Sequence, residues 1–178
     1  MDLDHGVEKN IKLLAEAKNK DISELKACVL KRPRHDHIVE TFNKMNVKIN
    51  YITDGDIAGA LSVIGDNPKN DIYYSTGGAP EGVVVAAALS CYGGQIQGRL
   101  VLNEDEKVRA KKLGITDYKR KYNINDMVKG DVIFCATGVT TGDLANGVKD
   151  LGNEFEVNTF ALHKSQKIIK SVTNIYNK

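Results

Sequence analysis

The sequence predicts an α/β fold: a mixed, mostly parallel sheet with helices on its faces and an antiparallel hairpin at the C-terminal end. Short β-prone runs alternate with helical patterns along the chain, as they do in βαβ units. The clearest unit is Asp71–Gly94, where the run Ile72–Thr76 meets two glycines and then the apolar helix Val83–Leu89. The last two runs, Glu154–Leu162 and Lys167–Ile175, lie close enough in sequence to form the hairpin.

The length and composition predict a single domain spanning residues 1–178, with room for a sizeable core. Lys and Arg number 25 against 23 Asp and Glu, so no strong overall field recruits nucleic acid or a membrane surface. The N-terminus does not look like a signal peptide, and no apolar run approaches the roughly 20 residues of a membrane-spanning helix. We therefore expect a cytoplasmic protein without nucleic-acid or membrane partners.

The cysteines and histidines give no sign of a disulfide framework or a zinc site. Cys28, Cys91 and Cys135 lie in apolar runs without CxxC spacing, so we expect reduced core residues. His35 and His37 have no second histidine or cysteine at ligand spacing. We expect both to be surface or capping residues.

The predicted helices, in chain order, are Val7–Lys18, His35–Met45, Ile57–Ile64, Val83–Leu89 and Glu104–Leu113. The first repeats apolar residues at helical spacing, with charges on the opposite face. The fourth is apolar nearly all round and should be buried, whereas the fifth is charged and stops at a glycine. Shorter turns are predicted at Asp21–Glu24, Met127–Gly130 and Leu144–Val148.

The predicted strands before the hairpin are Lys26–Leu30, Val47–Thr53, Ile72–Thr76, Gln95–Leu102 and Asp131–Ala136. Lys26–Leu30 and Asp131–Ala136 are continuous apolar runs, which is typical of strands buried on both faces. Val47–Thr53 alternates between polar and apolar residues. Asp117–Asn125 is predicted as a basic loop that bears tyrosines.

Four of these strands are followed by loops rich in charge or glycine: KRPRH, TDGD, STGGAPEG and ATGVTTGD. In open α/β sheets, ligands bind outside the carboxyl ends of parallel strands. If the four strands are parallel neighbours, their loops share one edge of a single sheet. Such an edge combines cations, carboxylates and glycine N–H groups, which suits a phosphorylated small molecule with a divalent cation.

The first two loops also have plainer interpretations. Arg32 and Arg34 flank Pro33 and could both grip one phosphate, but a solvated basic turn explains them equally well. Asp54 is a good N-cap for the following helix, and Asp56 suits the positive end of its dipole.

The two glycine-rich loops are ambiguous in the same way. Gly77 and Gly78 precede Pro80, which suits the first helical position, and together they could form a phosphate cradle. The alternative is an ordinary strand-to-helix turn in which Glu81 only complements the helix dipole. The loop ATGVTTGD is either a second cradle or a glycine-rich turn.

Taken together, the loops resemble the class II fructose-1,6-bisphosphatases, the GlpX-type branch of the lithium-sensitive, metal-dependent sugar-phosphate phosphatases. The segments that carry the resemblance are KRPRH (31–35), DGDIAGA (54–60), GGAPEGVVVAAAL (77–89), GGQIQGRL (93–100) and ATGVTTGDLANG (136–147). They fall in the order of the family at compatible spacing, and the similarity runs from Asp2 to about Ile175.

The resemblance implies a sugar-phosphatase-like fold and hydrolysis of fructose 1,6-bisphosphate to fructose 6-phosphate. The positions that it implies to bind the sugar bisphosphate are Arg32, Pro33, Arg34, Asp54, Gly55, Asp56 and Gly78. It implies that Glu81 binds a divalent metal, Mn²⁺ or Mg²⁺. No catalytic residue is identified.

The sequence resembles only the C-terminal half of that family. The N-terminal half normally carries most of the metal-binding acids, in a DPIDGTT-like motif, and no Asp-Gly-Thr run occurs here. We expect the chain to supply the phosphosugar-binding half of the site. A separate N-terminal-half polypeptide is a possible partner, and we expect the chain to form homo-oligomers. The alternative is a non-catalytic phosphosugar-binding or regulatory fragment. A nucleotide-binding Rossmann-type domain is disfavoured because GGAPEG is not GxGxxG.

Overall fold

The computed structural model describes residues 1–178 as three sheets with helices packed around them. The helices are α1 Gly6–Lys18, α2 Asp36–Lys44, α3 Asp56–Leu61, α4 Ala79–Tyr92, α5 Glu104–Lys112 and α6 Ile124–Met127. Short 3₁₀ helices occur at Leu3–His5, Ile22–Glu24 and Pro33–His35. The strands are β1 Lys26–Leu30, β2 Lys48–Ile52, β3 Ile72–Tyr74, β4 Gln97–Gly98, β5 Tyr122–Asn123, β6 Ile133–Thr137, β7 Lys149–Asp150, β8 Glu154–His163 and β9 Ile168–Asn177. The predicted α/β class is confirmed.

The first sheet is parallel, with strand order β2-β1-β3. Central strand β1 is covered on both faces, which explains its continuous apolar sequence. Helices α1 and α2 pack on the face of Val29, where Ile11 and Phe42 lie in the same core cluster. Helix α3 covers the opposite face through Gly59, because a Cβ at that position would lie 2.5 Å from Ile52 Cδ1 and 3.5 Å from Cys28 Sγ.

The C-terminal sheet is antiparallel and is built around the long strand β8. Strands β6 and β7 pair with one side of β8, and β9 pairs with the other. The predicted hairpin is confirmed, since β8 and β9 pair from Glu154 opposite Asn177 to His163 opposite Ile168. One face of this sheet packs on α4, where Phe134 and Leu162 join Leu89 in a second core cluster.

Strand β6 differs from expectation in its partners and in its burial. It runs antiparallel to β8 in the second sheet, so the prediction of four parallel neighbours is wrong for this strand. Only one face of β6 is covered, and the side chains therefore alternate: Phe134 is buried, while Ile133 is 70% exposed and Cys135 is exposed. All three cysteines are free as expected, but only Cys28 is fully buried.

Four other local predictions are corrected. The strand predicted at Gln95–Leu102 shrinks to β4, a two-residue bridge to β5, and Val101 beyond it is unpaired and 77% exposed. The turn predicted at Leu144–Val148 is not helical. The one predicted at Met127–Gly130 lies earlier, as α6, because Asn123 caps the N–H groups of Asn125 and Asp126. Helix α4 is not buried all round, since Val83 and Val84 are exposed.

No helix of the protein has the length and apolar character that crossing a membrane requires.

Asp71, directly before β3, is the most heavily paired carboxylate next to the parallel sheet. It accepts hydrogen bonds from Lys18 Nζ at 2.7 Å, Lys20 Nζ at 2.9 Å and the Lys26 N–H at 2.8 Å, and its side chain is only 6% exposed. Burial alone would raise the pKa of Asp71, but these bonds together lower it to about 2. The cluster ties the C-terminal end of α1 to the first residues of β1 and β3.

We expect Asp71→Asn to lower the free energy of unfolding by about 2 kcal/mol at neutral pH, because the folded pKa lies below the unfolded value of about 3.9. This contribution is present above the unfolded pKa and is lost as the pH falls through the folded pKa. Urea unfolding from pH 7 to pH 2 measures it, with Asp66→Asn at an exposed carboxylate as the control. Parallel pH profiles for the wild type and Asp71→Asn would contradict the assignment.

Candidate functional site

A single cleft of about 630 Å³ opens beyond the carboxyl ends of the three parallel strands. Its lining is polar apart from one residue and consists of Arg34, Asp54, Gly55, Asp56, Ile57, Thr76, Gly77, Gly78 and Glu81. The loops after β1, β2 and β3 therefore meet as the sequence predicts. The expected placement of Arg34, Asp54, Gly78 and Glu81 in one cleft is confirmed.

The loop after β1 brings one guanidinium into the cleft. Arg34 lies in the 3₁₀ turn Pro33–His35, and its Nε donates to the Thr76 carbonyl oxygen at 2.6 Å. This bond leaves the two terminal nitrogens of Arg34 for another acceptor. Arg32 donates instead to the Lys31 carbonyl at 2.9 Å, and neither Arg32 nor Pro33 lines the cleft. The structure thus places one arginine at the site rather than a pair.

The loop after β2 presents two carboxylates in different settings. Gly55 has a φ of 85° and caps α3, so a residue without a Cβ is favoured there. Asp54 accepts the Gly55 N–H at 2.8 Å and makes no capping bond to α3, which removes the plain N-cap interpretation. Asp56 Oδ1 accepts hydrogen bonds from the Tyr73 hydroxyl and, at 3.0 Å, from Ser75 Oγ.

The Tyr73 contact fixes the orientation of Asp56. Burial and the neighbouring Asp56 carboxylate raise the pKa of Tyr73, so the phenol stays protonated and donates. Asp56 is therefore anchored through one oxygen, while Asp54 is anchored only to its own loop.

The loop after β3 leads into the N-terminus of α4. Gly78 is the N-cap, Ala79 begins the helix, and Pro80 is its second residue rather than the predicted first. The N–H groups of Gly77 and Gly78 have no backbone acceptor. Together with the helix N-terminus, they form a set of donors that suits a phosphate.

Glu81 folds back over the N-cap of its own helix. A Cβ at position 78 would overlap the Glu81 carboxylate, so glycine is needed there for this side-chain position. The carboxylate then faces the cleft together with Asp54 and Asp56.

The charge of the cleft lining bears on the ligands it can hold. One guanidinium against three carboxylates leaves a formal charge of −2, so a phosphorylated ligand is favoured only when a cation accompanies it. Carboxylate oxygens are the ligands that Mg²⁺ and Mn²⁺ prefer. Even so, no group of three or more His, Cys, Asp or Glu side chains is arranged to hold a metal. The fit to a metal is therefore partial: Glu81 can provide one ligand, and this chain does not complete the set.

The fourth loop lies away from the cleft. Its Asp143 pairs with Lys69 at 2.6 Å, and both residues line a small pocket of about 160 Å³ next to Leu61 and Ser62, at the C-terminal end of α3. Packing explains its Gly138, because a Cβ there would overlap the Asn146 carbonyl oxygen. The second-cradle interpretation receives no support from this placement.

Sequence reasoning missed His35 and Thr76. His35 was expected to be a surface or capping residue, but it is 0% exposed and its side chain makes no capping bond to α2. A signal was available, since His35, Ile38 and Phe42 follow the i, i+3, i+7 pattern of one helix face, and the other two are buried. Nothing in the sequence indicates that Thr76 contacts both the arginine and the histidine of another loop.

An open parallel sheet with a polar cleft beyond its carboxyl ends is typical of α/β proteins that bind small phosphorylated molecules. Residues 1–176 match the family model described as bacterial fructose-1,6-bisphosphatase, glpX-encoded. The chain belongs to this family.

Two curated relatives place the chain within the family. It is 32% identical to a D-fructose 1,6-bisphosphatase class 2/sedoheptulose 1,7-bisphosphatase from Synechococcus sp., over 99% of its own length and 55% of the relative. It is also 32% identical to a fructose-1,6-bisphosphatase class 2 from Haemophilus influenzae, over 99% of its own length and 57% of the relative. The chain thus spans little more than half the length of the relatives it matches.

We expect Gly78→Ala to move the Glu81 carboxylate and to weaken Mn²⁺ binding without unfolding the protein. Gly78 has a φ of −69°, which alanine adopts freely, so the substitution should not strain the folded backbone. It also lowers the conformational entropy of the unfolded chain. Titration of Mn²⁺ by electron paramagnetic resonance, together with thermal unfolding, tests this. Gly82→Ala is the matched control, since nothing lies within 4 Å of its added Cβ. Equal Mn²⁺ affinity in the two variants would contradict the role of Gly78.

Proposed function

We propose that this chain supplies the phosphosugar-binding half of a metal-dependent fructose-1,6-bisphosphatase site, in which fructose 1,6-bisphosphate is hydrolysed to fructose 6-phosphate and phosphate. The observation that carries the proposal is the convergence of Arg34, the Asp54–Asp56 loop and the Gly77–Glu81 loop on one cleft. Family membership supports the choice of reaction. The reaction belongs to gluconeogenesis, and we place it in the cytoplasm.

In this proposal Arg34 and the glycine loop bind one phosphate. The terminal nitrogens of Arg34 make charge-assisted bonds, and the N–H groups of Gly77 and Gly78 donate at the positive end of α4. Asp54 accepts hydrogen bonds from sugar hydroxyls. Asp56 does the same with the oxygen that Tyr73 and Ser75 leave free.

Glu81 provides one ligand to Mn²⁺ or Mg²⁺. When bound, the metal offsets the charge of the cleft and polarises the phosphate. The remaining metal ligands and the groups that activate water come from residues outside these 178, which correspond to the rest of the family sequence. The shorter coverage of the relatives supports this division. We also propose that the chain forms homo-oligomers.

Calorimetry with the purified chain tests the binding half of the proposal. We expect fructose 1,6-bisphosphate to bind, and to bind more tightly with millimolar Mn²⁺, because the cation offsets the formal charge of −2. Fructose without phosphate is the control and should give no heat. If the bisphosphate does not bind either with or without Mn²⁺, the proposal is wrong.

A second candidate function is phosphosugar binding without catalysis. The observation in its favour is that the chain contains no cluster of three metal-ligating side chains. The two functions predict the same calorimetry. They differ in hydrolysis, since a non-catalytic module stays inactive when a polypeptide carrying a DPIDGTT-type motif is added.

A further inference from the structure

His35 is a fully buried imidazole whose two nitrogens are both bonded to backbone. Nδ1 lies 2.7 Å from the Leu30 carbonyl oxygen, and Nε2 lies 2.8 Å from the Thr76 nitrogen. A carbonyl can only accept and an N–H can only donate. Nδ1 therefore carries the proton and Nε2 accepts, so the neutral imidazole with its proton on Nδ1 is the form that satisfies both bonds.

The bond to Thr76 has a counterpart from the neighbouring residue. Arg34 Nε donates to the Thr76 carbonyl oxygen at 2.6 Å, while His35 Nε2 accepts from the Thr76 N–H. Two consecutive residues of one loop thus hold both backbone polar groups of a single residue in another loop. Strand β3 ends at Tyr74, so Thr76 has no partner strand.

Thr76 directly precedes Gly77 and Gly78, the most conformationally free residues of the cleft. All three are exposed, so apolar packing does not fix their backbone. The His35 and Arg34 bonds are the contacts that determine where this segment lies. The Arg34 bond also orients the arginine, because its guanidinium is held on the carbonyl oxygen of the same residue.

We propose that His35 is a positioning residue for the phosphate-binding groups: it fixes the backbone of Thr76, and through it the distance between the Arg34 guanidinium and the N–H groups of Gly77 and Gly78. The inference rests on the proposed function for the identity of the bound phosphate, but the hydrogen bonds of His35 do not depend on that function. Replacement of the acceptor at Nε2 should free the loop while the core stays filled.

Two substitutions separate the two bonds of the ring. The amide nitrogen of asparagine occupies the position of Nδ1, so His35→Asn keeps a donor for Leu30 and loses the acceptor for Thr76. The amide oxygen of glutamine occupies the position of Nε2, so His35→Gln keeps that acceptor. A role confined to core stability predicts similar defects in both variants.

Amide hydrogen exchange by nuclear magnetic resonance tests the geometry without a ligand. We expect exchange at the Thr76 amide, which donates to His35 Nε2, to be about 10-fold faster in His35→Asn than in the wild type, and within about threefold of it in His35→Gln. Affinity for fructose 1,6-bisphosphate should follow the same order. If both variants exchange like the wild type, or if His35→Gln is as fast as His35→Asn, the inference is overturned.

A measurement on the wild type covers the case in which His35→Asn does not fold. Nitrogen-15 shifts of the His35 ring should show a proton on Nδ1 and none on Nε2 at neutral pH. A proton on Nε2 would overturn the inference. If the wild type shows the expected ring form and exchange pattern but does not bind the bisphosphate, the proposed function fails and the positioning role stands.

Discussion

The isolated 178-residue chain is expected to hydrolyse fructose 1,6-bisphosphate far below the ordinary enzymatic range of about 1–10³ s⁻¹. The chain offers one carboxylate, Glu81, to a metal, and Asp56 is already engaged by Tyr73 and Ser75. A divalent cation held by so few protein oxygens binds weakly and is poorly placed to stabilise the charge that develops on phosphate. Steady-state phosphate release with millimolar Mn²⁺ measures the rate.

The control is the same assay with a polypeptide that carries a DPIDGTT-type motif, which should raise turnover by several orders of magnitude. Glu81→Gln should remove most of that gain. Turnover by the chain alone within the enzymatic range, abolished by Glu81→Gln, would show that this chain carries the complete metal site.

Arg34→Ala is expected to weaken binding of fructose 1,6-bisphosphate by about 10- to 150-fold, which corresponds to the roughly 1.5–3 kcal/mol of a charge-assisted hydrogen bond. The side chain is exposed, so the melting temperature should change little. Calorimetry with the wild type and the variant measures the loss.

Two further variants of the same loop test whether the effect belongs to position 34. Lys31→Ala removes an exposed charge that does not line the cleft and should leave the affinity nearly unchanged. Arg32→Ala tests the contact that the family resemblance implies, and the structure leads us to expect a smaller loss than for Arg34→Ala. Equal affinities of the wild type and Arg34→Ala would return the KRPRH loop to the interpretation of a solvated basic turn.

Much of this architecture could be predicted from the sequence because the informative segments are local. Strand β1 is continuous and apolar, and its predicted bounds, Lys26–Leu30, are those observed. The C-terminal hairpin is set by two β-prone runs and the short turn between them. Three loops meet at one edge because parallel strands place their carboxyl ends on the same side.

The remaining features depend on contacts that are distant in sequence. Periodicity could not show that β6 pairs antiparallel with β8, since an apolar run does not indicate its partner. In the same way, the sequence does not show which of Arg32 and Arg34 enters the cleft. Arg34 is held there by its bond to the Thr76 carbonyl, which lies 42 positions away in sequence. The burial of His35 was not predicted because a buried polar side chain needs hydrogen-bond partners. Those of His35, the Leu30 carbonyl and the Thr76 N–H, lie outside its own helix.

Helix α4 extends from the cleft to the antiparallel sheet. Its N-cap Gly78 and its first-turn residue Glu81 lie at the cleft, while its later residues Ala88 and Leu89 pack with Phe134 and Leu162 of that sheet. A helix of 14 residues is about 21 Å long, so a tilt of about 5° around its centre would shift each end by about 1 Å. Because one end of α4 lines the cleft and the other packs on the antiparallel sheet, a displacement of this sheet would change the distance of Gly78 and Glu81 from Arg34.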